Sequence, residues 1–417
     1  MIRSVEIVLN SLIIVFTLLS FVACEKDDND NPEEFSVTKY DPVKVEKQSE
    51  IKTWMHFMPW FETNTSSENG KWGMHWTMNT MNPEILDEDG KRNIASHFYP
   101  LTGPYSSSDP DIIEYQLLLM KYSGIDGILI DWYGSTDVND YKSIRKNSEA
   151  LIKALDNTGL DFAIVYEDRT IDEVIDEDVL SFKIEAAQED MVYIEQNYFN
   201  NPHYIKINDK PLLLVFGPEV FHNHEDWEQI MGAFDSQPCL IVLNGKSNET
   251  APVSSGEYIW VDNSSVDNKY GNMNKFNVYI GGAYPGFLDF YKEGGWGNGF
   301  NWSIDHNSGK TLEINLQKAK TNKVDFLQLI TWNDYGEGTM IEPTKEFRYT
   351  FLSKIQEFNE VNYDTTDLSK IFDLYNLRKK EADNKLNQKK LDQAFYYLVS
   401  LQNEKAYKLI DSLKIQR

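Results

Sequence analysis

The chain is poor in cysteine, in histidine and in positive charge. Cys24 and Cys239 are the only cysteines in 417 residues, a count that excludes zinc–thiolate sites. Lys and Arg number 40 against 66 Asp and Glu, for a formal charge of −26. That balance argues against nucleic acid and anionic membrane surfaces as partners, and it suits solubility and a neutral ligand. Among the 7 histidines, His56, His75 and His97 form no His-x-x-x-His or comparable ligand pair, so neither a metal nor a cofactor is expected. The acids at 25–30 lack the Gly and the distal Glu of a calcium loop. No internal repeat is visible. The apolar run from Ile7 to Val22 is too short and too weakly flanked for a membrane span.

That run has another reading. Arg3 gives a short positive start, the middle is apolar, and a small residue, Ala23, precedes Cys24; this is the pattern of a secretion signal. The small residue before the cysteine resembles a bacterial lipobox, although Phe21 stands where Leu is usual, and the resemblance implies lipid on Cys24. With Cys24 lipidated no intramolecular disulfide can form. Cys239, inside Cys239-Leu240-Ile241-Val242-Leu243, reads as a core residue. The charged run after Cys24 cannot pack and reads as a solvated tether. Its Lys followed by acids resembles export signals of surface-displayed lipoproteins. The expected organisation is a signal peptide over 1–23, an acidic tether over 24–48, a catalytic barrel over 49–362 and a helical segment over 363–417. The expected location is the outer membrane, facing the cell surface, with a periplasmic or secreted protein as the alternative.

Short apolar runs rich in β-branched and aromatic residues recur at 53–60, 127–132, 162–167, 212–216, 240–243, 258–262, 278–282 and 326–332. Most do not alternate, as expected of strands buried on both faces. Helical patterns fall between them, at 110–122, 147–157, 179–196, 225–234, 312–320 and 346–359. Such alternation predicts an α/β fold, a (β/α)8 TIM barrel, with long loops over 62–103 and 284–307 at the C-terminal ends of its strands. Loops of that length are commonly functional. From Thr365 on, Leu391, Phe395, Leu398, Ala406, Leu409 and Leu413 mark two or three helices, packed on the barrel or appended to it.

Chemistry concentrates where the last strand ends, in Thr331-Trp332-Asn333-Asp334-Tyr335-Gly336-Glu337-Gly338. Two acids three residues apart at a barrel mouth suit glycoside cleavage, in which one carboxyl group protonates the leaving oxygen and the other assists at the sugar. A neighbouring carboxylate and partial burial would keep the donor protonated. The same spacing also fits a helix cap in a solvated loop. Asp131 and Glu167 end other apolar strands and are candidates for binding sugar hydroxyls, with Trp132, Tyr133, Trp332 and Asn333 beside them; Asp168 and Arg169 could simply pair with each other. Aromatic residues make up 13% of the chain, including 10 Trp and 23 Tyr. They suit sugar stacking and equally suit a large core.

The run Phe98-Tyr99-Pro100-Leu101-Thr102-Gly103-Pro104-Tyr105-Ser106-Ser107-Ser108-Asp109-Pro110, with His75-Trp76, Trp132-Tyr133, Pro285-Gly286 and the turn at 332–342, resembles glycoside hydrolase family 99, the endo-α-mannosidase and endo-α-mannanase family, and its relatives grouped with family 71. The resemblance runs from about Trp54 to about Glu342. It implies a (β/α)8 barrel and cleavage of an α-linked oligo- or polysaccharide with retention of configuration. In the family the first acid of the turn is Glu, acting on the sugar's own 2-hydroxyl to give an anhydro-sugar, and the second is the acid/base. Carried over, Glu337 is the acid/base and Asp334 takes the first position, while His75, Trp76, Tyr105, Asp131 and Tyr284 fall near substrate sites. The turn departs from family 99 in two places, with Asp334 for Glu and Gly336 for His. In that form it resembles family 71, which cleaves α-1,3-glucan. A surface glycan-binding protein without turnover is the further alternative.

Overall fold

The strands are apolar on both faces because both faces are covered. In β2 (Gly127–Trp132) every residue is buried, as in a parallel sheet with side chains packed on one face and helices on the other. The computed structural model describes residues 35–415 apart from 178 and 181. The signal segment, Cys24 and the acidic run that follows it lie outside the described residues. Within those described, no helix is long and apolar enough to cross a membrane.

Beside β2 stand β1 (Lys52–Phe57), β3 (Asp161–Tyr166), β4 (Lys210–Val215), β5 (Cys239–Leu243), β6 (Ser254–Tyr258), β7 (Val278–Ala283) and β8 (Phe326–Leu329). Each runs parallel to the next. The ring closes where β8 pairs with β1, Thr53 opposite Leu327 and Met55 opposite Leu329. A two-residue piece, Lys206–Ile207, adds antiparallel to β4. The barrel is therefore the eight-stranded (β/α)8 form, and its helices cover the outside.

The helix Pro110–Tyr122 starts and stops where the sequence predicts. Asp109 caps it by accepting from the Asp111 N–H, and Pro110 sits at its first position. Other boundaries move. The sixth strand was expected at 258–262 and lies at Ser254–Tyr258. Ser254, Ser255, Gly256 and Glu257 carry no apolar signal; pairing with β5 and β7 makes them strand. Gly256 is required there, because a Cβ would sit 1.7 Å from the Val278 carbonyl oxygen. The helix expected at 147–157 begins earlier, as Tyr141–Leu155, and the one expected at 179–196 is Lys183–Ile194, prolonged by a π turn to Phe199.

Two flanking segments complete the barrel. Residues 38–48 were expected to belong to the tether and instead lie on the protein. The Thr38 N–H donates to Gln393 Oε1 (2.7 Å), the Val43 N–H to the Val399 carbonyl (2.9 Å), and Lys47 pairs with buried Asp126. The apolar and charged contacts here are too interleaved to stand out in a charged sequence. At the other end, helices Thr365–Lys380, Lys385–Val399 and Asn403–Ile415 follow one another. The first lies along Pro110–Tyr122, where Arg378 makes a two-pronged pair with Glu114 (2.8 Å for each contact) and Tyr375 meets Tyr115 at 5.3 Å.

Candidate active site

Beyond Leu329 the chain leaves the barrel wall and doubles back. Trp332 N–H donates to the His56 carbonyl (2.6 Å), Ile341 N–H to Thr331 O (2.9 Å) and Glu342 N–H to Trp332 O (2.8 Å), so 331–342 is a closed turn riveted to β1. Inside it the Asp334 N–H donates to Thr331 Oγ1 (2.8 Å), and Asp334 Oδ1 accepts from the Glu337 N–H (2.9 Å). The loop over 284–307 is strapped to the same turn, Leu288 N–H to Glu337 O (2.9 Å) and Phe290 N–H to Gly336 O (2.8 Å). Gly338, at φ +67°, makes that approach possible, since a Cβ would lie 2.6 Å from Leu288 O.

Both acids open into a cleft of about 630 Å³ at the C-terminal mouth of the barrel, within the roughly 300–1,000 Å³ typical of small-molecule sites. Burial pushes the Glu337 carboxyl well above the usual range, and the charge of Asp334 pushes it further. Burial also raises Asp334, to about 6, against the lowering effect of the Glu337 and Gly336 N–H groups and of His75. The two carboxyls of one turn are thus set apart, one holding its proton near neutral pH while the other gives its proton up. Tyr291 donates to Glu337 Oε1 (3.3 Å).

The facing wall carries a second acidic pair. Asp131, at the end of β2, is 1% exposed and neither of its carboxylate oxygens has a hydrogen-bond partner. Burial, then the charge of Glu167, raises its pKa far above normal. Arg169 Nε donates to Glu167, and Arg169 Nη2 donates to the Tyr133 hydroxyl (3.0 Å). His56 on the floor is neutral, its pKa lowered to about 3 by burial, so its 3.9 Å approach to Asp131 is no ion pair. His75 stacks on Trp60 (4.2 Å, 5° between planes) and places Nε2 3.2 Å from Asp140 Oδ2, without hydrogen-bond geometry.

Of the residues singled out in the sequence, Glu337, Asp334, His75, Asp131, Tyr133 and Glu167 line the cleft. Trp76, Tyr105, Trp132, Tyr284, Trp332 and Asn333 do not, and their expected contact with substrate is corrected. Trp76 is fully buried against Phe61 (4.0 Å) and donates from Nε1 to Tyr105 O (2.8 Å). Trp132 points outward onto Tyr193 and Tyr198, because side chains alternate along a strand and Asp131 and Tyr133 take the mouth. Tyr284 sits in a small cluster with Val261, Phe287 and Ile330. Trp332 is core. Asn333 is a clamp: Oδ1 accepts from the Met58 N–H (2.9 Å) and Nδ2 donates to Met58 O (2.9 Å) and Tyr105 Oη (3.1 Å). Tyr105 in turn donates to Glu342 Oε2 (2.8 Å), which also receives the Tyr335 hydroxyl (2.8 Å), while Gln116 Nε2 donates to Oε1 (2.7 Å). This buried support of the turn was missed; burial raises Glu342 to about 7.

Trp60, Trp260, Tyr291, Trp296 and Phe300 line the cleft without having been singled out in the sequence, and Arg169, expected to pair with Asp168, lines it and pairs with Glu167 instead, while Asp168 accepts from the N–H groups of Glu219 and Val220. The signal lay in their positions, strand ends for Trp60 and Arg169 and the loop over 284–307 for the others.

A family model described as Glycosyl hydrolase family 99 matches residues 50–239; the match includes Asp131 and Glu167 and ends before the turn with Asp334 and Glu337. A glycoprotein endo-alpha-1,2-mannosidase-like protein of Mus musculus is 24% identical over 60% of this chain and 58% of its own. The glycoprotein endo-alpha-1,2-mannosidase of Rattus norvegicus is 22% identical over 60% and 57%. The chain therefore spans less than two thirds of the length of these relatives. Among solved structures, the GH99 endo-alpha-mannosidase from Bacteroides thetaiotaomicron superposes with a TM-score of 0.57 at 17% identity, covering 77% of this chain and 98% of that one; this likeness is one of fold. Family model, relatives and barrel agree in what they point to: over residues 50–239 the chain is similar to glycosyl hydrolase family 99, and its fold is the barrel of a solved member of that family.

Proposed function

We propose that the protein hydrolyses an internal α-glycosidic bond of a mannan-like glycan with retention of configuration, with Glu337 as acid/base and Asp334 as the carboxylate acting on the sugar. One observation carries this reading: a single turn presents two carboxyls to one cleft, the first ionising near pH 6 and the second holding its proton. Glu337 gives its proton to the leaving oxygen, and Asp334 draws the proton from the neighbouring 2-hydroxyl, the route the family resemblance implies. Asp131 is neutral and can donate to a sugar hydroxyl, while Glu167 and Arg169 offer an acceptor and a donor beside it. Trp60, Trp260 and Trp296 supply faces for the sugar's apolar C–H surface. The sequence relatives, named as endo-alpha-1,2-mannosidases or as like them, support the sugar and the endo mode.

Asp334 reaches roughly 1.5 Å less far than the family's Glu, and the Asp-Tyr-Gly-Glu form of the turn favours α-1,3-glucan as a second reading. Digestion of α-mannan and α-1,3-glucan, with products identified by size and anomeric configuration, separates the two. Internal oligosaccharides released from α-mannan are expected, with a loss of about 10²–10⁴-fold in Glu337→Gln, the usual contribution of a general acid. Wild-type rates retained in Glu337→Gln would exclude Glu337. Binding of α-glycans without any product would leave a surface glycan-binding protein.

A further inference from the structure

The loop over 284–307 brings one side chain to the acid. Its backbone is fixed to the catalytic turn at Leu288 and Phe290, and Asp289 Oδ1 accepts from the Tyr291 N–H (3.2 Å) to start the short helix Tyr291–Gly294. Trp296 lies along the Tyr291 ring (6.2 Å, 23° between planes), and its backbone N–H donates to Tyr291 O (2.7 Å). Phe300 meets the same ring (6.2 Å, 45° between planes), and the Tyr291 hydroxyl ends 3.3 Å from Glu337 Oε1. Among the described residues this is the one hydrogen bond the Glu337 carboxyl receives, since Oε2 is shut from solvent without a partner.

We propose that Tyr291 is a positioning residue for the acid: its hydroxyl holds the Glu337 carboxyl toward the cleft and stabilises the carboxylate that remains once the proton has left. The inference rests on Glu337 being the acid. During cleavage the proton passes from Glu337 to the departing oxygen as that oxygen's bond to the anomeric carbon breaks. The negative charge stays on Glu337, and the Tyr291 O–H donates to it. The charge disappears when Glu337 takes a proton from the incoming water. Tyr291 itself keeps its proton throughout, because burial and the charges of Glu337 and Asp334 raise its pKa far above normal. Its hydrogen bond acts on Glu337 in the opposite direction, favouring the ionised form.

The test is Tyr291→Phe, which removes one oxygen and keeps the ring. The alkaline limb of kcat/KM against pH should move up by about one pH unit, as expected for losing a hydrogen bond to a charged group. On α-glycans kcat should fall about tenfold with KM within about twofold. On an aryl α-glycoside whose leaving group needs no proton, the loss should be several-fold smaller. An unmoved alkaline limb, or equal losses on both substrates, would overturn the proposal. An infrared titration of the Glu337 carboxyl, taken as the difference between wild type and Glu337→Gln and repeated in the Tyr291→Phe background, reads the same displacement without catalysis. If no glycan is cleaved by wild type, the hydrolase reading fails, and the titration still decides whether Tyr291 holds Glu337.

Discussion

The carboxyls of Asp131, Asp334 and Glu337 face one cleft whose lining has a single guanidinium, that of Arg169, and their protonation is set by burial before it is set by pairing. Asp131 and Glu337 stay neutral because burial and a neighbouring carboxylate outweigh the groups that favour their charged forms, Arg169 for both and the Tyr291 hydroxyl for Glu337. Asp334 ionises first because two backbone N–H groups and His75 face it. The proposed reaction needs Asp334 ionised and Glu337 protonated. Below about 6 Asp334 takes up a proton, so kcat/KM should fall about tenfold per pH unit there. A profile recorded from pH 4.5 to 8 that stays level down to 4.5 would mean that Asp334 is not the base. Asp334 and Glu337 were legible in the sequence because the strand, the turn and both acids are contiguous. Trp60 and Arg169 were less so, because which side of a strand end faces the mouth depends on the barrel's tilt.

At the level of elements, loops and helices outside the barrel hold the turn. Glu342, Tyr105, Tyr335 and Gln116 tie it to the loop before Pro110 and to the helix Pro110–Tyr122. That helix is covered in turn by Thr365–Lys380, where Arg378 is 7% exposed and meets Glu114 and Asp392. Removing one partner of a buried pair leaves the other charge uncompensated and costs about 3–5 kcal/mol. Arg378→Ala should lose about that much in urea unfolding, and Arg378→Ala with Glu114→Gln should recover at least half. A loss under about 1 kcal/mol would place the pair with ordinary surface ion pairs. The helical segment was expected from its leucine spacing, yet its partner was not, because Arg378 and Glu114 lie 264 positions apart.

For the whole molecule the buried acids and the charge of −26 pull the same way. Asp190 and Asp334 are raised from 3.8 to about 6 and Glu342 from 4.5 to about 7, and Asp131 and Glu337 are raised well above their usual range. A carboxyl with a raised folded-state pKa contributes stability that is complete below its unfolded value and is lost as pH rises through the folded one. His56 and His306, lowered by burial, act in the opposite sense below pH 6.5, but the raised acids outnumber them. The melting temperature should therefore fall from pH 5 to pH 8, and less steeply in Glu342→Gln. A melting temperature at pH 8 equal to or above that at pH 5 would contradict this balance.

The sequence by itself determined the class of fold, the limits of β2 and of the helix Pro110–Tyr122, and the pair Asp334 and Glu337. Each is written in residues close together in the chain, where apolar runs, caps and spacing act locally. Tertiary structure decided the rest. It made a polar run into β6 by pairing it on both sides, and it turned Trp76, Trp132 and Trp332 into the core. It also brought Trp60, Arg169 and Tyr291 to the acids from three separate segments. The direction of a side chain and the meeting of distant segments follow from the closure of the ring, and closure is a property of all eight strands together.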